Sequence, residues 1–212
     1  MNELAIENKP NGYLEVIVGP MFSGKTSRII NLYKQYKYCN IPVIVVNHND
    51  DNRYDNELLS NHDNIKIACF KCYEIKEMIA KYYTLLNTQH VVILINEGQF
   101  FDDLYDSVSY LVNDMDKCVY VCGLDGDFKS NKFGQILDLI PICDNVYKLH
   151  SICVKCKNGK RAIFTNRKTN DKEQKLIGVD TYEPLCRKCY FHTSIENSTI
   201  ASESQDTLAL TL

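Results

Sequence analysis

Eight residues near the N-terminus restrict the fold of this chain more than any other segment does: Gly19, Pro20, Met21, Phe22, Ser23, Gly24, Lys25 and Thr26. They follow an apolar run and precede apolar residues at helical spacing, so they lie where a strand turns into a helix. The glycines let backbone N–H groups point inward, where Lys25 can reach β- and γ-phosphates and the Thr26 hydroxyl can bind Mg²⁺. The segment predicts a P-loop that binds a nucleoside triphosphate; the alternative is a glycine-rich turn that only caps a helix.

Strand-like and helix-like segments alternate after this motif. An apolar run typical of buried parallel strands occurs at residues 42–47, and another buried strand is predicted at 90–95. A short strand is predicted at 65–69, a further strand at 117–122, and a last apolar segment covers 146–149. One helix is predicted from its apolar face, formed by Ile75, Met78, Ile79, Tyr82 and Leu86, and a shorter one at residues 135–142. This order predicts an α/β fold of the P-loop NTPase type, with a mostly parallel sheet flanked by helices, over residues 13–149.

Charged residues after two of these strands are candidates for chemistry. Glu97 ends the strand at 90–95, where P-loop enzymes carry an acid near Mg²⁺ or the attacking nucleophile; the alternative is an acid that stabilises the start of the next helix. The polar segment 48–64 is predicted to be a loop, either functional or simply solvated. The glycine-containing loop at 123–128 lies where open α/β sheets place substrate contacts.

Charge and hydropathy exclude several classes of protein. The net charge of −3 and the absence of a basic stripe argue against a nucleic-acid-binding face. Residues 1–12 form a polar extension without the features of an export signal, and no apolar run approaches the length of a membrane span. We therefore expect a cytoplasmic protein, in the host cytoplasm if the chain is viral, that binds neither nucleic acid nor membrane.

The spacing of four cysteines predicts a metal site. Cys153 and Cys156, and Cys186 and Cys189, form two Cys-x-x-Cys pairs, which is the arrangement that a structural, tetrahedral Zn²⁺ needs. The alternative is four unligated thiols. A third such pair, Cys69 and Cys72, is predicted to lie between a strand and a helix and is either a coincidence, a thiol switch or a weak metal site. The remaining cysteines are predicted to be small buried side chains: Cys39, Cys118, Cys122 and Cys143.

The C-terminal third differs from the rest of the chain. Residues 150–192 hold the four paired cysteines and two β-like pieces at 161–165 and 175–178, and they have too little apolar content to fold without metal. We predict a zinc-binding, β-rich subdomain there. Residues 193–212 are rich in polar side chains and are predicted to be a disordered tail.

Several motifs in one collinear order carry a resemblance to a known family. They are the P-loop segment, Glu97-Gly98-Gln99-Phe100-Phe101, Leu124-Asp125-Gly126 with Phe128, Phe133-Gly134, and Cys186-Arg187 with Cys189-Tyr190. Together they resemble the type II thymidine kinases, the zinc-containing family of cellular and large-virus enzymes, over about residues 13–191. The resemblance implies transfer of the ATP γ-phosphate to the 5′-hydroxyl of thymidine, and also of deoxyuridine, in nucleotide salvage for DNA synthesis. It also implies dependence on Mg²⁺, a homotetramer, and feedback inhibition by dTTP.

The same resemblance assigns roles to individual residues. Lys25, Glu97 as general base and Arg53 are expected to be catalytic. The P-loop residues, Asp51, Asn96 and Gln99 are expected to face the nucleotide and its metal. The residues expected to contact thymidine, including a lid whose backbone reads the base and whose ends the zinc site anchors, are Met21, Phe100, Leu124, Phe128, Thr165, Leu176, Ile177, Gly178, Val179 and Tyr182.

Two residues depart from the family pattern. Asn96 stands where the family usually has Asp, and an amide removes a negative charge close to the expected metal. This predicts weaker Mg²⁺ or ATP binding, with Asn96→Asp raising activity at limiting Mg²⁺. Ile177-Gly178 replaces the usual pair of glycines in the lid. Two alternatives to the kinase stay open: a nucleotide-binding protein with weak or no turnover, and a motor or switch ATPase, although Asn131-Lys132-Phe133-Gly134 lacks the Asp of a guanine-reading motif.

Overall fold

The computed structural model describes residues 12–51, 58–61, 63–169, 171, 173–175, 178 and 181–193. The strands are β1 (Tyr13–Val18), β2 (Val43–His48), β3 (Leu58–Ser60), β4 (Lys66–Ala68), β5 (Phe70–Cys72), β6 (Val92–Ile95), β7 (Cys118–Gly123), β8 (Asn145–Lys148), β9 (Ser151–Ile152), β10 (Arg161–Ala162), β11 (Phe164–Arg167) and β12 (Tyr182–Leu185). The helices are α1 (Lys25–Tyr38), α2 (Ile75–Lys81), α3 (Tyr83–Thr88), α4 (Leu104–Ser109) and α5 (residues 187–193). Shorter helical turns cover Gly98–Phe100, Tyr110–Asp114 and Ile136–Ile142.

A six-stranded parallel sheet in the order β5-β2-β6-β7-β1-β8 forms the centre of the fold. All four residues of β6 are buried, as expected for an inner strand covered on both faces. Successive residues of β1 point to opposite faces, so Val16 joins the core beneath α2 and α4, whereas Ile17 joins the core beneath α1. Ile29 and Ile30 of α1 and Leu59 of β3 complete the second core. The α/β fold predicted from the sequence is confirmed.

The parallel direction of the strands positions the candidate site. Because β1, β2, β6 and β7 run the same way, the segments that follow them meet at one edge of the sheet. These segments are the P-loop, residues 49–51, residues 96–100 and residues 124–128.

A small β subdomain holds the four paired cysteines. β9 pairs with β10 and β11 pairs with β12, both antiparallel, and α5 follows. A separate small core of Ala162, Leu185, Tyr190 and the cysteines fills it. The predicted domain limits at residues 12, 149 and 192 stay predictions, and the predicted tail lies outside the described residues from 194 onward.

Several elements differ from the sequence predictions. The predicted loop at 48–64 contains β3, which pairs with β4. Residues 175 and 178, which belong to a predicted β-like piece, lie in no strand, and the partner of β11 is β12. The predicted helix through Leu86 is divided into α2 and α3 at Tyr82, whose backbone leaves helical geometry (φ −103°, ψ 15°).

The cysteines also differ in part from their prediction. Cys122 is buried, but Cys39 is exposed at the end of α1, and Cys118 and Cys143 are only partly buried. Cys69 and Cys72 flank and end β5, so the pair does not lie between a strand and a helix. Burial raises the pKa of the Cys72 thiol to about 12, which argues against a reactive thiolate there. Every helix within the described ranges is too short or too polar to cross a membrane.

Candidate active site

The P-loop connects β1 to α1 through backbone in the left-handed region. Gly24 is the N-cap of α1 with φ 84°, and Phe22 has φ 61°, which is uncommon for a residue with a side chain. The Ser23 hydroxyl donates to the Pro20 carbonyl at 2.7 Å and closes the turn from inside. A loop of this shape directs successive backbone N–H groups toward one point at a helix N-terminus, where a phosphate binds favourably.

Lys25 lies over this loop. Its side chain is largely buried, and Nζ donates to the carbonyl oxygens of Gly19 at 3.0 Å and Pro20 at 2.7 Å. The partial negative charges of these two carbonyl oxygens hold the ammonium group beside the loop. An ammonium held in this way is positioned to neutralise an anionic phosphate beside it.

Glu97 follows β6 in left-handed backbone geometry (φ 53°, ψ 42°), which turns its side chain toward the P-loop side of the sheet edge. Gln99 orients the carboxylate: its Nε2 donates to Glu97 Oε2 at 2.7 Å, and its Oε1 accepts the Leu124 backbone N–H at 2.9 Å. Gly134 packs directly on the backbone of Gln99: its φ is 59°, and a Cβ at this position would meet the Gln99 carbonyl oxygen at 2.2 Å, so a side chain here would displace Gln99. The end of β7 therefore sets the position of the acid that ends β6.

Asp51 enters the same region from β2 and is held by buried amides. Asn47 Nδ2 donates to Asp51 Oδ2 at 3.0 Å, Asn96 Nδ2 donates to Asn47 Oδ1 at 3.0 Å, and the Cys122 thiol donates to Asn96 Oδ1 at 3.2 Å. Burial raises the pKa of Cys122 to about 12, so its thiol keeps the proton that it donates. Asn96, the first residue after β6, is buried and does not line the cleft.

These groups meet in one open cleft, whose walls combine the polar P-loop side with the rings of Phe100 and Phe128. The structure brings together at its walls these residues singled out from the sequence: Met21, Phe22, Ser23, Gly24, Lys25, Thr26, Asp51, Glu97, Gln99, Phe100, Leu124, Phe128, Thr165, Gly178 and Tyr182. Gly19, Pro20 and Asn96 do not line it. Arg53, Leu176, Ile177 and Val179 lie outside the described residues.

Sequence reasoning missed a second set of lining residues: Ser27, Asn61, Gly126, Asp127, Phe133, Gln174 and Lys175. Two signals were present in the sequence. Asp127 lies inside the glycine-containing loop after β7, and Phe133 belongs to one of the quoted motifs. Asn61 directly follows β3 and belongs to the polar segment 48–64, whose composition allowed a functional loop but did not single out this residue.

Arg167 organises the wall opposite the P-loop. Its side chain is 1% exposed, and its guanidinium lies 3.8 Å from the centre of the Phe128 ring. Nη1 donates to the carbonyls of Asp171 at 3.1 Å and of Glu173, and Nη2 donates to the Gln174 carbonyl at 3.2 Å. A further bond from Nη2 reaches the Tyr182 hydroxyl at 2.6 Å. One buried cation thus bonds both to residues that precede the predicted lid (176–182) and to Tyr182 at its end.

Gln174 and Lys175, which directly precede the predicted lid, contact the side of the cleft that carries Asp50 and Asp127. Gln174 Nε2 donates to Asp127 Oδ2 at 2.8 Å, and Lys175 forms an ion pair with Asp50 while lying 4.8 Å from the Phe100 ring centre. These contacts place residues 174 and 175 across the opening between β2 and β7.

The four cysteines converge as the spacing predicted. Their Sγ atoms all lie within 4.8 Å of one another, and Cys156 Sγ is 3.7 Å from Cys186 Sγ and 3.5 Å from Cys189 Sγ. A tetrahedron with Zn–S bonds of about 2.3 Å has edges of about 3.8 Å, so the cluster fits Zn²⁺. Burial opposes ionisation of Cys153, but backbone N–H groups of Cys186, Cys156 and Lys155 lower the pKa of its thiol to about 6.

Comparison with known proteins agrees with this site. A family model described as thymidine kinase matches residues 12–190. Thymidine kinase of rice (Oryza sativa subsp. japonica) is 40% identical over 90% of this chain and 71% of its own length. The enzyme of Bacteroides thetaiotaomicron is 38% identical over 90% of this chain and 93% of its own, and that of sheeppox virus is 36% identical over 85% and 97%. A chain that matches the family over nearly its whole length, and that joins a P-loop to an acid and a four-cysteine cluster, belongs to the thymidine kinase family of ATP-dependent phosphotransferases.

Proposed function

We propose that this chain transfers the γ-phosphoryl group of ATP to the 5′-hydroxyl of thymidine, with Glu97 as the general base. The observation that carries the proposal is that Lys25, at the start of α1 after the P-loop, and Glu97, which follows β6, line the same cleft. Phosphoryl transfer needs charge neutralisation at the phosphates and one base at the nucleophile, and these two side chains supply both. The 2.7 Å bond from Gln99 supports the role of Glu97, because a base must be held in one orientation.

ATP and thymidine would bind at opposite ends of the cleft. The P-loop and Lys25 would bind the phosphates of ATP, and Arg53 would act near the transferred group, as the family resemblance implies. Thymidine would lie between the rings of Phe100 and Phe128, where Tyr182 and the lid around Gly178 also line the cleft. Aromatic faces suit a planar base, and backbone groups of the lid would read its edge.

Two metals complete the proposal. The Thr26 hydroxyl and the Asp51 carboxylate are the hard oxygen ligands that Mg²⁺ prefers, and both line the cleft beside Lys25. They would hold the ion, which spreads the negative charge of the phosphates when bound. Zn²⁺ on the four cysteines would have a structural role, anchoring the strands from which the lid starts and ends. A homotetramer and feedback inhibition by dTTP rest on the family resemblance alone. A cytoplasmic location is proposed from the same resemblance together with the sequence pattern.

Phosphate transfer from labelled ATP to a panel of nucleosides tests the proposal. We expect thymidine to be phosphorylated, and Glu97→Gln to lower kcat by about 10²-fold or more while ATP still binds. Glu74→Gln, at the N-cap of α2 and away from the cleft, is the matched control and should keep full activity. If ATP binds but no nucleoside is phosphorylated, the chain is a nucleotide-binding protein without turnover, and if Glu97→Gln stays active the base is another group.

A further inference from the structure

A buried series of hydrogen bonds, here called the relay, connects Cys122 in the middle of the sheet to Asp51. It runs from the Cys122 thiol to Asn96, from Asn96 to Asn47, and from Asn47 to the Asp51 carboxylate, with donor–acceptor distances of 3.2, 3.0 and 3.0 Å. Cys122, Asn96 and Asn47 are each 1% exposed, and Asp51 is 4% exposed. Water does not compete with bonds at this depth, so each amide depends on its neighbours in the chain.

The groups at the two ends of the relay, the Asp51 carboxylate and the Cys122 thiol, fix the direction of both amides. A carboxylate only accepts hydrogen bonds, so Asn47 must turn its NH₂ group toward Asp51. Its Oδ1 then faces position 96, where it requires a donor, and the NH₂ group of Asn96 supplies one. Asn96 Oδ1 in turn accepts the hydrogen bond that the Cys122 thiol donates. Position 96 therefore needs a side chain that can donate a hydrogen bond to Asn47 Oδ1, and an asparagine can.

We infer that Asn47 is a positioning residue that orients the Asp51 carboxylate toward the metal, and that Asn96 serves the site by donating to Asn47. This inference rests on the proposed role of Asp51 as a Mg²⁺ ligand. Asn96 does not line the cleft, whereas Asp51 does, so the charge next to the metal comes from Asp51. The amide at position 96 orients that charge indirectly.

The inference reverses the effect expected of Asn96→Asp from the sequence. A carboxylate at position 96 cannot donate to Asn47 Oδ1, and two acceptors would face each other in a buried place. If Asn47 turned its amide to satisfy the new carboxylate, its Oδ1 would face Asp51 instead. Asn96→Asp should therefore weaken metal binding by about three- to tenfold, although it adds a negative charge.

Binding of Mn²⁺ to the full-length protein with ATP, followed by electron paramagnetic resonance, tests this relay directly. We expect Asn47→Ala and Asn96→Ala each to weaken Mn²⁺ binding by about three- to tenfold, and the double variant to resemble the single ones, because both residues act through one chain. Asp51→Asn should weaken binding at least as much. Asn47→Ser, which is too short to bridge both partners, gives the same readout if Asn47→Ala does not fold.

Asn166→Ala is the matched control. Asn166 is also a buried asparagine, with a side-chain bond to Glu183 at 2.9 Å, but it lies outside the relay. Its substitution should lower the free energy of unfolding and leave Mn²⁺ affinity unchanged. If Asn47→Ala behaves like this control while Asp51→Asn weakens Mn²⁺ binding, the relay is wrong and the metal role of Asp51 stands. If Asp51→Asn leaves Mn²⁺ binding unchanged, the metal role fails and the inference with it.

Discussion

The backbone N–H of Met21 donates to the hydroxyl oxygen of Thr165 at 3.0 Å. Met21 belongs to the P-loop, and Thr165 is a buried residue of β11 in the small subdomain, 144 positions later in the chain. β11 pairs with β12, which leads directly into Cys186 of the cysteine cluster. A hydrogen bond therefore connects the P-loop to the subdomain that carries the predicted lid.

Thr165→Val should loosen the P-loop. Valine keeps the shape of threonine but cannot accept the Met21 N–H, and a buried donor without its partner is unfavourable by about 1–3 kcal/mol. We expect weaker binding of ATP and of thymidine, by about three- to tenfold each, measured by calorimetry. Thr165→Ser retains the acceptor oxygen and should stay close to the parent in both affinities. Equal losses in the two variants would show that packing of the methyl group, and not the hydrogen bond, matters.

Removal of zinc should act on the thymidine end of the cleft more than on the phosphate end. The cluster core contains few apolar side chains, so the strands that carry the lid depend on the metal for their position. We expect a strong chelator, or Cys156→Ser, to lower the melting temperature and to raise the KM for thymidine more than the KM for ATP. Readdition of Zn²⁺ should reverse the effect of the chelator.

The exposed Cys39 supplies the matched control for this experiment. Cys39→Ser should change neither the melting temperature nor either KM, because Cys39 lies at the end of α1 away from the cluster. Full activity of a zinc-free protein with an unchanged KM for thymidine would contradict the anchoring role.

The parts of the site that were predictable are those whose chemistry requires residues close together in the chain. The P-loop sequence determines its own backbone, and a Cys-x-x-Cys pair brings two sulfurs together by local turn geometry. Gln99 and Glu97 belong to one short turn and were found together. Fold class followed from buried parallel strands, whose long apolar runs are unambiguous.

The remaining features depend on partners far apart in the chain. β12 contains Glu183 and Pro184 and is a strand only because β11 supplies its hydrogen bonds. Asn47 could not be recognised from the sequence, because its role arises from Asn96, 49 positions later. Arg167 was missed for the same reason, since its partners are mostly backbone carbonyls, which leave no mark in a sequence.

Arg167→Lys should impair the lid selectively. A guanidinium can bond several carbonyls in its plane while its face lies on Phe128, whereas an ammonium is a point charge that cannot do both. We expect the KM for thymidine to rise by about tenfold, with a smaller change in the KM for ATP. Arg161→Lys, at an exposed position in β10, should leave both constants unchanged. Equal increases in both KM values would mean that Arg167 supports the whole cleft and not the lid.

His48 should make the stability of the protein depend on pH. Its imidazole is buried, with its ring 4.9 Å from that of Phe101, and its Nδ1 accepts the Asp50 backbone N–H at 3.1 Å, which requires the neutral ring. Desolvation, followed by the charge of Lys175, lowers the pKa of His48 below 6.5, although Asp50, Asp102 and Asp51 act in the opposite direction.

Folding lowers the pKa of this histidine. Its contribution to stability is therefore fully present at pH values above its pKa in the unfolded chain, 6.5, and it is lost as the pH falls through its pKa in the folded protein. Below pH 6.5 the unfolded chain binds a proton that the folded chain resists, so the free energy of unfolding should fall by up to ~1.4 kcal/mol per pH unit. His48→Gln can accept the same N–H without titrating, and should remove this part of the slope in urea denaturation between about pH 5 and about pH 7.5. Identical slopes in the two proteins would show that His48 is protonated equally in both states.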